Sequence, residues 1–277
     1  MDGSQPDWLS ANRANWDERV PLHLKAHSYD LRPLRAGRGN LQPIEEAEIG
    51  SVDGLRVLHL QCHFGRDTLT LAQRGADVVG VDFSGEAITV ARRLATELGL
   101  DQRARFIQAD VYAAPDVLPE PAGFDRVFVS WGAINWLPDI SGWAKVVAHF
   151  LKPGAALYLA EHHPAIFVFD DETRTPDGMP GWFWPYFSRE ACITQAPTDY
   201  TEGAPRLRNG PTYEWLHPLG AIVTALCQSG LTLKWLHEHD ALPWPAFSCL
   251  QLGKDGLWRW PDKSWLPMSF SLWAERT

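Results

Sequence analysis

From about Leu55 onward, the chain alternates short, almost wholly apolar runs with amphipathic stretches. Arg56–Leu60 (RVLHL), Asp77–Val81 (DVVGV), Arg105–Gln108, Phe124–Ser130 (FDRVFVS) and Ala155–Glu161 (AALYLAE) read as strands. Arg66–Arg74, ended by Gly75, reads as a helix. So do the stretch from the capping residue Ser84 to Leu98, stopped by Gly99, and Ser141–Phe150. Continuous apolar strands alternating with helices predict a parallel sheet covered on both faces. Further on, Leu219–Ser229 reads as a helix stopped by Gly230, and Leu231–His237 and Ser269–Ala274 as two final, hairpin-like strands. Upstream, Asp7–Leu24 predicts a polar helix carrying Trp8 and Trp16. A loop to about Gln42 and a short helix over Pro43–Ile49 follow. The expected fold is α/β: seven mostly parallel strands with helices on both faces.

Pro164–Pro211 breaks this rhythm. It is rich in Pro, Gly and aromatic residues and shows no sustained period. A structureless loop of that length implies a function or its own hairpins, so it is read as an aromatic-rich insertion after strand 5, covering the C-terminal edge of the sheet. The chain then divides into residues 1–50, a core over 51–163, the insertion at 164–212, and the rest of the core at 213–277.

Composition narrows the partners. The formal charge is −9, and no basic run exceeds Arg92-Arg93, which disfavours a nucleic-acid backbone. The N-terminus is polar, without a charged-then-apolar export pattern. No stretch approaches the ~18 apolar residues of a membrane span. Cys62, Cys192, Cys227 and Cys249 are widely spaced, as expected of reduced thiols in a cytoplasmic protein. The expected state is a monomer or homodimer acting on a small molecule.

In open parallel sheets, ligands sit beyond the strand C-termini, near the point where strand order reverses. Three strand ends carry suitable groups. The turn His59-Leu60-Gln61-Cys62-His63-Phe64-Gly65 leads from strand 1 into a helix. Asp82, with Phe83 beside it, follows strand 2 at 23 residues past His59, close to the ~20-residue offset of a ribose-gripping acid. Asp110 follows strand 3, where its carboxylate can accept from an adenine amino group while the Val111 backbone faces the ring. The structural alternatives are a helix N-terminal charge for Asp82 and a turn residue for Asp110. His59, Cys62 and His63 match no common zinc spacing, so no metal is expected.

With these groups in place, the chain resembles a class I S-adenosylmethionine-dependent methyltransferase, a Rossmann-like fold. The resemblance is carried by Asn12 to Gly154, with the topology of Glu214 to Ala274 in addition. VLHLQCHFGRDTLTLA stands where that family has an acid-led, glycine-rich loop. His59 takes the acid's position, Gln61 and His63 take the first two glycine positions, and Gly65 alone is kept. Glycines let a backbone approach a pyrophosphate; S-adenosylmethionine has none, so bulkier residues are tolerable. The resemblance implies S-adenosylmethionine as cofactor, with the N-terminal stretch folded over it and Trp16 or Tyr29 in contact. It also places Ser130 to Leu137, including Trp131 and Trp136, beside the sulfonium and adenine, where an aromatic face suits a cation. Phe150-Leu151-Lys152-Pro153-Gly154 matches the turn before the fifth strand.

Methyl transfer requires alignment, exclusion of water and often removal of a proton. His163 and His162, directly after strand 5, are the candidate bases, with His163 preferred; Glu161 and His217 are weaker ones. Trp182, Phe183, Trp184, Tyr186 and Phe187 in the insertion form either an aromatic wall for a hydrophobic or aromatic acceptor of secondary-metabolite type, or a small core of their own. On the first reading Trp131, Trp182, Trp184, Tyr186 and His217 bind substrate. Two alternatives share the sheet: an NAD-dependent oxidoreductase, and a protein that binds S-adenosylmethionine without transferring methyl groups.

Overall fold

The apolar runs of the sequence become the strands of one central sheet. The computed structural model describes residues 7–195, 198–201, 203 and 205–277; parts of the predicted N-terminal segment (1–6) and insertion (196, 197, 202, 204) lie outside the described residues. In chain order the helices are α1 (Trp8–His23), α2 (Arg32–Arg35), α3 (Pro43–Glu48), α4 (Arg66–Gln73), α5 (Gly85–Glu97), α6 (Ala114–Val117), α7 (Ile140–Phe150) and α8 (Leu219–Gln228). The strands are β1 (Arg56–Leu60), β2 (Asp77–Asp82), β3 (Ala104–Gln108), β4 (Phe124–Ser130), β5 (Leu151–His162), β6 (Phe169–Asp170), β7 (Gly181–Trp182), β8 (Cys192–Thr194), β9 (Thr212–Glu214), β10 (Leu231–His239), β11 (Ala241–Leu242), β12 (Gln251–Leu252), β13 (Trp258–Arg259) and β14 (Ser269–Arg276).

Seven strands form the central sheet in the order β3-β2-β1-β4-β5-β14-β10. β1 to β5 run parallel, and β14 is antiparallel to both β5 and β10. The order reverses between β1 and β4, which makes the C-terminal ends of those two strands the expected ligand edge. Helices on each face are amphipathic for this geometry. Ser84 Oγ accepts from Ala87 N at 3.0 Å to start α5, and Gly99 ends that helix at φ +68°. On one face Leu58, Val127, Leu157 and Leu272 pack under Trp143 and Phe150 of α7 and Leu226 of α8. On the other, Val57, Phe128 and Tyr158 pack under Val20 of α1 and Leu69, Ile88 and Leu94 of α4 and α5.

The structure departs from the sequence reading most at β5 and after β10. β5 begins at Leu151, not Ala155. Phe124 pairs with Leu151 but Arg126 with Ala156, so the Lys152-Pro153-Gly154 turn is a bulge inside the strand, with Gly154 at φ +77°. Between β10 and β14 there is also a second insertion. Its strands order β11-β13-β12 and bury Leu242, Phe247, Leu250, Trp260 and Met268 against Ile166, which follows β5. The first insertion does hold hairpins of its own, β6–β7 and β8–β9.

The return limb of the first insertion docks on α1. Asn12 exchanges two 2.8 Å hydrogen bonds with the Tyr213 backbone, and Asn15 Nδ2 donates to Asn209 O at 2.6 Å. The Glu18 carboxylate accepts from Arg208 N and Asn209 N, each at 2.9 Å. Asp199, fully buried, takes Arg19 Nη1 at 3.1 Å and His23 Nε2 at 2.9 Å.

Candidate active site

The turn from β1 into α4 is built around a backbone that ordinary residues avoid. Gln61 sits at φ +58°, His63 at φ +52° and Gly65 at φ +77°. The first two hold left-handed conformations at a cost of about 1–2 kcal/mol each. Gly65 has no alternative: a Cβ there would lie 2.5 Å from the Phe106 ring. Hydrogen bonds hold the turn, from Cys62 N to Val81 O (3.0 Å), from Gly65 N to Cys62 O (2.9 Å), and from His63 N to Asp82 Oδ2 (2.8 Å).

Asp82 ends β2 and is buried. Its other oxygen accepts from Ser84 N at 2.9 Å. Burial pushes its pKa up to about 6, against the pull of the Ser84 and His63 amides. Asp17 of α1 reaches the same place, accepting from Ser84 Oγ at 2.5 Å. One strand over, half-buried Asp110 follows β3, in register with this edge because Asp82 pairs with Gln108. Burial raises its pKa too, opposed by the Tyr112 and Val111 amides. Phe83 is half-buried and Val111 buried beside them.

Aromatic rings close over the turn. Trp16 meets His63 edge-on at 5.4 Å and Trp136 at 5.2 Å. Tyr29 stacks on His23 at 4.4 Å, lies 5.6 Å from His63, and hydrogen-bonds the Tyr200 hydroxyl. Burial, with help from His23 and Arg66, drives the pKa of His63 well down and keeps it neutral. Gln61 Nε2 donates to Ala133 O at 2.5 Å, tying this turn to the loop after β4. That loop leaves Ser130, buried at the strand end, through Trp131 at φ +46° and Gly132 at φ +70°.

Among the described residues, four buried polar atoms around this edge have no hydrogen-bond partner: Gln61 Oε1, His63 Nε2, His23 Nδ1 and Asn135 Oδ1; Trp131 Nε1 and Glu45 Oε1 face each other. Buried polar groups are normally paired, so such a ring of free donors and acceptors fits a polar ligand. Glu45 is fully buried. Burial and the nearby Asp67 carboxylate push its pKa up to about 8, so it is largely neutral at pH 7. Elsewhere, a groove of about 810 Å³ runs along the β2–β3 side, lined by Arg56, Arg92, Arg103, Arg105 and Glu120. Its arginines are spent on Glu120, Asp77 and backbone carbonyls, and it touches none of the groups above. Among the described residues, no three or more His, Cys, Asp and Glu gather as a metal site, and no helix is long and apolar enough to cross a membrane.

The two histidines after β5 part company. His163, the one preferred from sequence, points toward β10: its Nδ1 accepts from Ala165 N at 3.1 Å and its Nε2 lies 3.1 Å from Glu238 Oε1. Nδ1 is thus committed to structure, while Nε2 lies beside Glu238 without a hydrogen bond of its own among the described residues, on the β10 side. His162 points into the aromatic edge, with ring centroids 4.9 Å from Trp244, 5.4 Å from Phe167 and 6.5 Å from Trp131. Its Nδ1 lies 2.9 Å from Glu161 Oε1, and among the described residues its Nε2 has no hydrogen-bond partner.

Of the predicted substrate residues, the structure brings Trp131 to this place and disperses the others. Trp182 is 78% exposed and stacks on Phe169, Trp184 is buried, and the Tyr186 hydroxyl accepts from Leu219 N at 3.1 Å. His217 Nε2 donates to Leu137 O at 2.7 Å, bracing the loop after β4. Trp244, in the second insertion, was missed; nothing in the local sequence around Pro243 and Pro245 marks it as facing a β5 residue.

Known proteins agree with this geometry. Residues 57–154 match the family model described as a methyltransferase domain. A ubiquinone biosynthesis O-methyltransferase of Leptothrix cholodnii is 32% identical over 52% of this chain and 56% of its own length. The counterpart in Bordetella avium is 29% identical over 61% and 66%. The chain thus spans between half and two thirds of the length of these relatives. A solved S-adenosylmethionine-dependent methyltransferase from Mesorhizobium loti superposes with TM-score 0.58 at 21% identity, covering 84% of this chain and 96% of that one. Geranyl diphosphate C-methyltransferase from Streptomyces coelicolor gives 0.52 at 12% identity, covering 99% and 86%; these two likenesses speak for the fold alone. With its reversed strand order, acid-tipped β2 and antiparallel β14, the chain has the fold of class I S-adenosylmethionine-dependent methyltransferases, and residues 57–154 match a methyltransferase domain.

Proposed function

We propose that this protein transfers the methyl group of S-adenosylmethionine to a small, largely apolar or aromatic acceptor. The observation that carries the reading is the built edge at the switch point. A buried carboxylate, Asp82, fixes a strained turn whose unpaired polar atoms face a ring of aromatic side chains. Asp82 and Asp110 are suited to accept from ribose hydroxyls and an adenine amino group, with Val111 and Phe83 beside the base and Trp16 and Trp136 offering faces to a cation. When bound, the cofactor supplies an activated methyl group: the acceptor's lone pair bonds to the methyl carbon as the carbon–sulfur bond breaks, its electron pair staying on sulfur.

The chain's own work is binding, drying and proton removal. The aromatic cluster of Trp131, Trp244 and Phe167 beside His162 supports an apolar acceptor. His162 Nε2 is the site that receives the acceptor's proton. Relatives named as ubiquinone biosynthesis O-methyltransferases favour an oxygen atom as the methyl acceptor.

Titration calorimetry with S-adenosylhomocysteine tests the cofactor half. The wild type should bind it, and Asp82→Asn should bind at least about tenfold more weakly, the loss of charge-assisted hydrogen bonds being worth 1.5–3 kcal/mol. Equal affinity of the two proteins would remove the reading. Release of S-adenosylhomocysteine in a screen of phenols, amines and carbon acids identifies the acceptor class.

A further inference from the structure

We propose that Glu161 is the positioning residue of this site, fixing His162 in the Nδ1–H tautomer so that Nε2 is left as the proton acceptor. The proposal rests on the reading of His162 as the base and extends it to a residue that touches neither substrate nor cofactor.

Glu161 is 2% exposed at the end of β5. One oxygen accepts from Gly132 N at 2.5 Å, from His162 N at 2.8 Å and from His162 Nδ1 at 2.9 Å; the other accepts from Ala133 N at 2.7 Å and Ile134 N at 3.3 Å. Three successive backbone N–H groups converging on one carboxylate form an anion-binding nest. A carboxylate buried this deeply would ordinarily be pushed toward protonation. Here the His162 hydrogen bond, together with the Gly132 and His162 amides, outweighs burial and holds it below the usual range. An ionised Glu161 can only accept, so His162 Nδ1 must carry the proton and Nε2 the lone pair. The proton leaving the acceptor then ends on Nε2, and the Glu161 charge offsets the imidazolium that forms, as the acid does in His-based triads.

The same carboxylate locks the loop that presents Trp131, whose φ of +46° needs an external hold. One buried charge therefore sets both the base and the wall facing it.

Glu161→Gln separates the two tasks. A glutamine oxygen can keep the bonds to Ala133 N and Ile134 N, while its NH₂ group takes the place of the oxygen that faces His162 Nδ1, giving up the Gly132 and His162 amide bonds and driving the imidazole proton to Nε2. Nitrogen-15 NMR of the histidines, with His162 assigned through His162→Gln, should show the Nδ1–H form in the wild type and the Nε2–H form in Glu161→Gln. Turnover of Glu161→Gln should fall by about 10²–10⁴-fold, with S-adenosylhomocysteine affinity and acceptor KM within about threefold. A wild-type His162 in the Nε2–H form overturns the proposal even if the variant fails to fold. So does a folded Glu161→Gln with turnover within threefold of wild type, or a fully active His162→Gln. A wild type that neither binds nor turns over the cofactor sinks the methyltransferase reading instead, while the NMR result still decides what Glu161 does.

Discussion

A carboxyl group takes its character from its neighbours, and this edge holds three that differ. Glu161 is ionised because five donors surround it. Glu45, with one oxygen on Gln42 N at 2.7 Å and the side chain beside Trp131, is largely neutral near pH 7. Asp82 lies between, with a pKa of about 6. Its raised value works against the folded state: stability is greatest below the ordinary carboxylate pKa of about 4 and declines as the pH rises to about 6. Ligand binding runs the other way, because only the ionised carboxylate accepts from both hydroxyls of a ribose. S-adenosylhomocysteine affinity should fall about tenfold per pH unit below 6, and this slope should vanish in Asp82→Asn. Calorimetry between pH 5 and 8 checks both, and a flat profile in the wild type would refute the assignment. The place of Asp82 was legible from its offset to strand 1. The positive φ at Gln61 and His63 was not, since side chains that tolerate such strain locally look like any others in the sequence.

At the scale of elements, α1 and the return limb of the first insertion behave as one clamp. Arg19 and His23 on α1 converge on Asp199, and Thr201 N donates to the same carboxylate at 2.8 Å. Burial opposes the charge on Asp199, but the His23 and Thr201 hydrogen bonds hold its pKa far below the usual range. Burial lowers the pKa of His23 despite Asp199. Both signs agree. The unfolded chain takes up protons more readily, on His23 below about pH 6.5 and on Asp199 below about pH 4, so the clamp weakens as the pH falls. Asp199→Ala removes the carboxylate from the buried Arg19 guanidinium, leaving it the neutral Asn15 Oδ1 as acceptor, and should cost about 3–5 kcal/mol, read as an earlier urea transition and faster proteolysis within residues 198–214. A change below 1 kcal/mol would mean that the Asn12, Asn15 and Glu18 contacts suffice. The helix was legible from its length and polarity, but its partner was not: the two halves of the clamp lie about 180 residues apart, beyond any local pattern.

At the scale of the whole molecule, the sequence carries the sheet because apolar period and strand order follow from local rules, and Leu219 to Ala274 closed it as expected. It does not carry the acceptor side, because both insertions leave from the same end of the sheet and only packing decides which of them faces β5. The aromatic run Trp182–Phe187 drew attention by its density, yet Trp182, Phe183 and Phe187 are 78%, 52% and 81% exposed. Trp244, in a segment that showed no clear pattern, sits 4.9 Å from His162 and 5.2 Å from Trp131. The two places make opposite predictions. If the acceptor lies against the second insertion, Trp244→Ala removes a large, half-buried ring whose contact with the acceptor would be worth about 2 kcal/mol or more, and should raise the acceptor KM at least tenfold, with S-adenosylhomocysteine affinity within twofold. Trp182→Ala should then change neither quantity by more than twofold, since its ring gives up only its stack on Phe169. Steady-state kinetics of the two variants with one acceptor decides the matter: a KM raised in Trp182→Ala but not in Trp244→Ala would return the acceptor to the first insertion, leaving the cofactor edge as it stands.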